Sequence, residues 1–137
     1  MHSVVKSLFF IIVLLSTNVY AAEEYHPNSG DSELDSSLIA LNKKVKNKTA
    51  RFSRKLSEIF QVPESNVSVL FTHYEFTPAD VLMTLSIADS SGEPVNNVSK
   101  TYFENRNNGW KYTLYQMKIE KGTVVYKQIK SDAASEY

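Results

Sequence analysis

NNGWKYTLYQMKIEKGTVVYKQIK, residues 107–130, admits two incompatible readings, and the choice between them sets the fold class. Read alone, it is a β-hairpin: Tyr112, Leu114, Val124, Tyr126 and Ile129 favour strands, and Glu120-Lys121-Gly122 would supply the turn. Read with the rest of the chain, it is a pair of short helices. Trp110, Leu114 and Met117 then share one face, Gly122 ends the first helix, and Thr123 caps a last one through Ile129.

The spacing of two prolines decides between them. Pro63 and Pro94 lie 31 residues apart. At that offset Asn66-Val67-Ser68 matches Asn97-Val98-Ser99, and Phe71 matches Tyr102. With one more residue in the second loop, Leu82, Leu85 and Ile87 match Leu114, Met117 and Ile119. A period of this length suits one helix–turn–helix unit. In the first copy Val67, Leu70, Phe71 and Tyr74 form a helical stripe. Thr77-Pro78-Ala79-Asp80 is a helix start, with Thr as N-cap, Pro at the first helical position and Asp on the positive end of the dipole. Leu82, Leu85 and Ala88 face inward, and Ser90-Ser91-Gly92 closes the helix. By equivalence the second copy has helices from about Pro94 to Arg106 and from Gly109 or Trp110 to Ile119. Context overturns β-propensity readily. The expectation is therefore an all-α fold; α+β with a C-terminal hairpin is the alternative.

Ahead of the repeat, Leu34, Leu38, Leu41, Val45, Phe52, Leu56 and Ile59 recur at helical spacing. They predict one long amphipathic helix to about Phe60, ended by Val62-Pro63. Residues 34–130 would then form a single helical domain, with 131–137 as a disordered tail.

The same residues carry a resemblance. Phe76-Thr77-Pro78-Ala79-Asp80-Val81-Leu82-Met83, the Ser91-Gly92-Glu93-Pro94-Val95 turn, Val98, Tyr102, Asn105 and Gly109-Trp110 resemble a family of small exported bacterial proteins. The likeness covers roughly residues 52–130, from the Leu56…Phe60-Gln61-Val62-Pro63 segment onward. It implies a string of short helices and no activity, and it brings no catalytic residues. The chain departs from the family pattern after Trp110, where Lys111-Tyr112-Thr113-Leu114 replaces small residues.

The N-terminus reads as a secretory signal peptide over residues 1–21. Lys6 supplies the positive start, Leu8–Leu15 the apolar core, and Val19-Tyr20-Ala21 small residues at the −3 and −1 positions of a cleavage site before Ala22. The apolar core is far short of the ~20 residues of a membrane span, so no transmembrane segment is expected after cleavage. The product would be periplasmic or secreted. Its 14 basic and 15 acidic residues nearly balance once Lys6 is removed, which argues against a nucleic-acid partner. With no Cys, the exported core must hold without disulfides. Residues 22–33, AEEYHPNSGDSE, lack apolar periodicity and read as a flexible acidic leader.

Motifs for chemistry are scarce. No phosphate-binding Gly-rich loop and no nucleophile elbow occurs. His73, Glu75 and Asp80 are near enough in sequence to suggest a metal-dependent or acid–base site, of donor types zinc accepts. The bland reading is a polar helix end, and no metal or other cofactor is expected. The aromatic residues fall at core spacing along every helix. Charge is uneven in one place: Lys43, Lys44, Lys46, Lys48, Arg51, Arg54 and Lys55 form a run without an acid, preceded by Glu23, Glu24, Asp31, Glu33 and Asp35. These cations are candidates for binding membrane phosphate, polysaccharide or an unknown acidic protein, unless the leader folds back to neutralise them. The sequence points to a non-enzymatic interaction module. A periplasmic chaperone-like or stress protein is the alternative.

Overall fold

Residues 107–130 form parts of two helices joined by a turn, not a hairpin. A computed structural model describes residues 24–137, and the segment read as a signal peptide lies outside them. Its helices are α1 (Ser32–Val45), α2 (Thr49–Phe60), α3 (Glu64–Thr72), α4 (Pro78–Ser91), α5 (Val95–Asn105), α6 (Gly109–Gln116) and α7 (Val124–Ala134). A 3-10 turn, Arg106–Asn108, leads into α6. No strand occurs among the described residues.

The centre of the domain is α4. Residues Ala79 to Ala88 are buried without interruption, which is what a helix apolar on nearly all sides requires. Helices α1, α2, α3, α5 and α7 pack around it. Its ends are those the sequence predicts. The Thr77 Oγ1 accepts from the Asp80 N–H at 3.3 Å. At the other end Gly92 is left-handed, with φ +78°, and its N–H donates to the Ala88 carbonyl at 3.0 Å.

The expected long N-terminal helix is two helices. A straight helix from Ser32 to Phe60 would run about 43 Å, against the ~30 Å width of a small domain. The chain breaks instead at Lys46-Asn47-Lys48, where the Lys48 N–H reaches the Val45 carbonyl at 2.7 Å. The turn lets α1 pack on α4 and α7 while α2 packs on α3 and α4. Leu41 and Val45 before it, and Phe52 and Leu56 after it, are all buried. The apolar spacing therefore continues across a break it does not reveal.

Pro63 and Pro94 play one local role. Each precedes a helix with nearly the same backbone, φ −56° and ψ 140° against φ −59° and ψ 139°. Each carbonyl accepts from the third and fourth residues on, Asn66 and Val67 in one case and Asn97 and Val98 in the other. The likeness weakens in the second helix of each unit, since α4 has 14 residues and α6 has eight.

The acidic leader is not loose. From Tyr25 to Asp31 it lies as a strap across the bundle, because the first amides of α6 require acceptors. The Pro27 carbonyl accepts from Trp110 N–H at 2.9 Å and the Asn28 carbonyl from Lys111 N–H at 3.0 Å. Asp31 caps α1, accepting from the N–H groups of Glu33 and Leu34. The expected disordered tail is also engaged. Helix α7 continues to Ala134, and the Tyr137 ring meets Phe52 edge-on at 5.5 Å.

Strap and helix can approach only because residue 109 is glycine. A Cβ there would lie 2.5 Å from the Asn28 Cβ and 2.7 Å from the Asn28 carbonyl oxygen. Its backbone, φ +71° and ψ −177°, is also nearly closed to other residues. Gly109→Ala should lower stability by more than the ~1–3 kcal/mol of the backbone strain alone. Denaturant unfolding of the two proteins measures this. Gly122→Ala, with open space around it, should lose only the strain.

Candidate functional site

The seven cations gather where α1 meets α2. Lys43 and Lys44 lie in the last turn of α1, a favourable place for positive charge beside the helix C-terminus. Lys46 and Lys48 occupy the connecting turn. Arg51, Arg54 and Lys55 project from α2, whose other face buries Phe52, Ser53, Leu56 and Phe60. All seven are exposed except Lys55, which is half-buried.

Four of them surround a small hollow. Lys44, Lys48, Arg51 and Lys55 line a space of about 80 Å³, together with Val45, Phe52 and Tyr137. This is well under the ~300 Å³ of an ordinary small-molecule pocket. It suits a single charged group on something larger. The first turn of α2 opens beside it without a side-chain cap. Phe52 N–H makes the first helical bond, to Lys48 at 3.0 Å, so the amides of Thr49, Ala50 and Arg51 have no partner within the helix. Burial and the nearby Asp132 push the Tyr137 hydroxyl up to about 12, so at neutral pH it adds no charge to the hollow.

Three of the acids that precede the run, Asp31, Glu33 and Asp35, are engaged away from this surface. Asp31 accepts from the Tyr126 hydroxyl at 2.8 Å and pairs with Lys130 at 3.2 Å. Glu33 pairs with the same lysine, and Asp35 accepts from the Ser29 hydroxyl and amide. These acids serve α7 and the strap. Among the described residues none of the seven cations forms an ion pair.

His73, Glu75 and Asp80 do not converge. His73 ends α3 exposed, its ring edge against Tyr74 at 4.8 Å. Glu75 is exposed in a left-handed turn, φ +54°. Asp80 is buried, 6% exposed. No group of three metal-ligating side chains comes together among the described residues.

Asp80 has partners that the sequence does not suggest. Its Oδ1 accepts from the Tyr25 hydroxyl at 2.7 Å and from the Trp110 indole N–H at 2.9 Å. Tyr102 stacks flat on Trp110, centroids 3.7 Å apart, and Phe76 meets Tyr102 edge-on at 5.4 Å. Burial pushes the Asp80 carboxyl above the usual carboxylate range, opposed by the hydrogen bonds from Tyr25 and Trp110. Burial first, and the Asp80 charge second, push the Tyr25 and Tyr102 hydroxyls far up. The aromatic set is thus mainly core. Phe103 is the outlying member, exposed with Arg106 over its ring at 4.8 Å.

No protein-family model, curated protein or solved structure matches this chain.

Two carboxylates with opposite shifts give opposite pH signatures. Asp31 is favoured by burial toward the neutral form, but Tyr126, the Leu34 amide and Lys130 outweigh this and hold it at about 2. Its contribution to stability is present above the ordinary 3.8 and lost as pH falls through about 2. Asp80, shifted upward, contributes most below 3.8, and that contribution fades as pH rises through its folded value. Asp80→Asn keeps an acceptor for both donors, so stability should vary less with pH on the neutral side of 3.8. Asp80→Ala leaves two buried donors unpaired and should cost about 2–6 kcal/mol, at ~1–3 for each. Chemical denaturation across a pH series separates the two variants.

Proposed function

We propose that this chain is an exported, non-enzymatic binding module whose α1–α2 surface meets an anionic partner: membrane phosphate, an acidic polysaccharide or an acidic protein. The observation that carries this reading is the run Lys43–Lys55, unpaired beside an uncapped helix start while Asp31, Glu33 and Asp35 are held elsewhere. Charges left free in this way keep their long-range field, which steers an oppositely charged partner. Export rests on the apolar Leu8–Leu15 stretch and its cleavage pattern, and on the resemblance to small exported helical proteins. Among the described residues no helix is long and apolar enough to cross a membrane, so contact with a bilayer would be at its surface.

Each basic residue near an anionic bilayer contributes on the order of 1 kcal/mol, fading over a Debye length of roughly 8–10 Å at physiological salt. Several acting together give measurable affinity. The mature chain should bind anionic vesicles or an acidic polysaccharide at low salt and release them as salt rises. Lys44→Glu, Lys48→Glu and Arg51→Glu combined should abolish binding in co-sedimentation without lowering the melting temperature, since all three side chains are exposed. Equal binding by the parent and the reversed protein would make the run an ordinary solvated face. Truncation before Ser36 is a poor substitute, because it removes the α1 cap and the Tyr25 partner of Asp80.

A further inference from the structure

A second cleft, of about 500 Å³, opens at the C-terminal end of α6, and none of the seven cations lines it. This volume falls within the ~300–1,000 Å³ of small-molecule sites. Leu114, Ile119 and Tyr126 form an apolar base and are nearly buried. Lys111, Lys118 and Lys121 line it as exposed residues. Glu120 is the one carboxylate in the lining, leaving an excess of two positive charges. The nearest acids of the strap and of α1 are engaged, Asp31 by Tyr126 and Lys130 and Asp35 by Ser29.

Lys118 sits there at a conformational cost. Its φ is +57°. It occupies the position after α6 where the Ile119 N–H donates back to Leu114 at 2.9 Å and the Lys118 N–H to Tyr115 at 3.0 Å. Glycine is the usual occupant of that position. Gln61 holds the same left-handed position after α2, so what sets Lys118 apart is its place in the lining of the cleft.

We infer that this cleft binds a small organic anion, an oxyanion head on an apolar body about the size of a medium-chain acid. Leu114, Ile119 and Tyr126 would cover the body, and Lys111 and Lys118 would face the head, beside Lys121, whose ammonium donates to the Gly30 carbonyl. Association buries apolar surface, while cations exposed to water add modest energy and choose the charge of the ligand.

The test titrates the full mature chain, followed by amide chemical shifts, with decanoate, decyl phosphate and decanol, each below its aggregation limit. Saturable shifts confined to residues 111–126 and the strap are expected for the two anions, with decanol about tenfold weaker or more, as loss of charge contacts to several lysines implies. Stronger binding of decanoate than of decyl phosphate would identify a carboxylate head, and the reverse a phosphate head. Lys118→Gly supplies the second arm. Glycine relaxes the turn, so the melting temperature should rise while anion affinity falls about threefold, the size of one exposed charge contact. The inference is overturned if no probe gives saturable shifts, or if decanol binds as well as the anions. It is equally overturned if Lys118→Gly binds as tightly as the parent, or if the shifts fall on Lys44–Lys55 instead. That last result would leave the α1–α2 surface reading standing.

Discussion

A carboxylate inside an aromatic cluster sets the terms for the rest of this fold. Burying Asp80 is costly unless its oxygens find donors, and the donors come from opposite ends of the chain. Tyr25 reaches it from the strap and Trp110 from the start of α6. To meet them, α4 must present its first turn to the interior, the strap must cross the bundle, and Gly109 must admit it. The flat stack of Tyr102 on Trp110 then fixes the indole plane. Central helix, strap and final helix pair are thus joined at a single oxygen.

The same strap and the first turn of α1 separate charge. Asp31, Glu33 and Asp35 are engaged within the fold, at the α1 cap, at Lys130 and at Ser29. The basic turn at the other end of α1 keeps no such partners. A sequence near electrical neutrality folds into a body with a strongly biased region, because pairing is local and net charge is not. The α6 cleft has the same bias on a smaller scale.

Much of the helical order is legible from residue types alone. Thr77-Pro78 and Thr123 are caps whose hydroxyls meet the amides that their positions predict. Gly92 closes α4, and Trp110 is buried at the start of its helix. These are local rules, and local rules survive without knowledge of the fold. The break at Lys46–Lys48 is hidden because two helices on one core can keep a common apolar phase. Tyr25 is hidden for a different reason. A tyrosine in a polar, proline-bearing segment gives no local sign that it will meet a carboxylate 55 positions away. Asp80 stands out in the sequence for its place on a helix dipole and for its nearness to His73, whereas its environment comes from neither. The candidate cations are legible as a run, but that they stay unpaired emerges only once the leader acids have been placed.

The strap has a consequence for how the molecule comes to be folded. Helical bundles usually fold fast because their contacts join residues near in sequence. Here Gly30 meets Lys121, Asp31 meets Tyr126, and Pro27 meets Trp110, so the two ends of the described chain must find each other before the centre is closed. Helices α2 to α5 can pair with neighbours as they form, but the Asp80 pocket stays open until α6 arrives. An all-helical protein thereby depends on long-range closures of the kind that β-proteins rely on. The first residues of the fold wait longest for their partners.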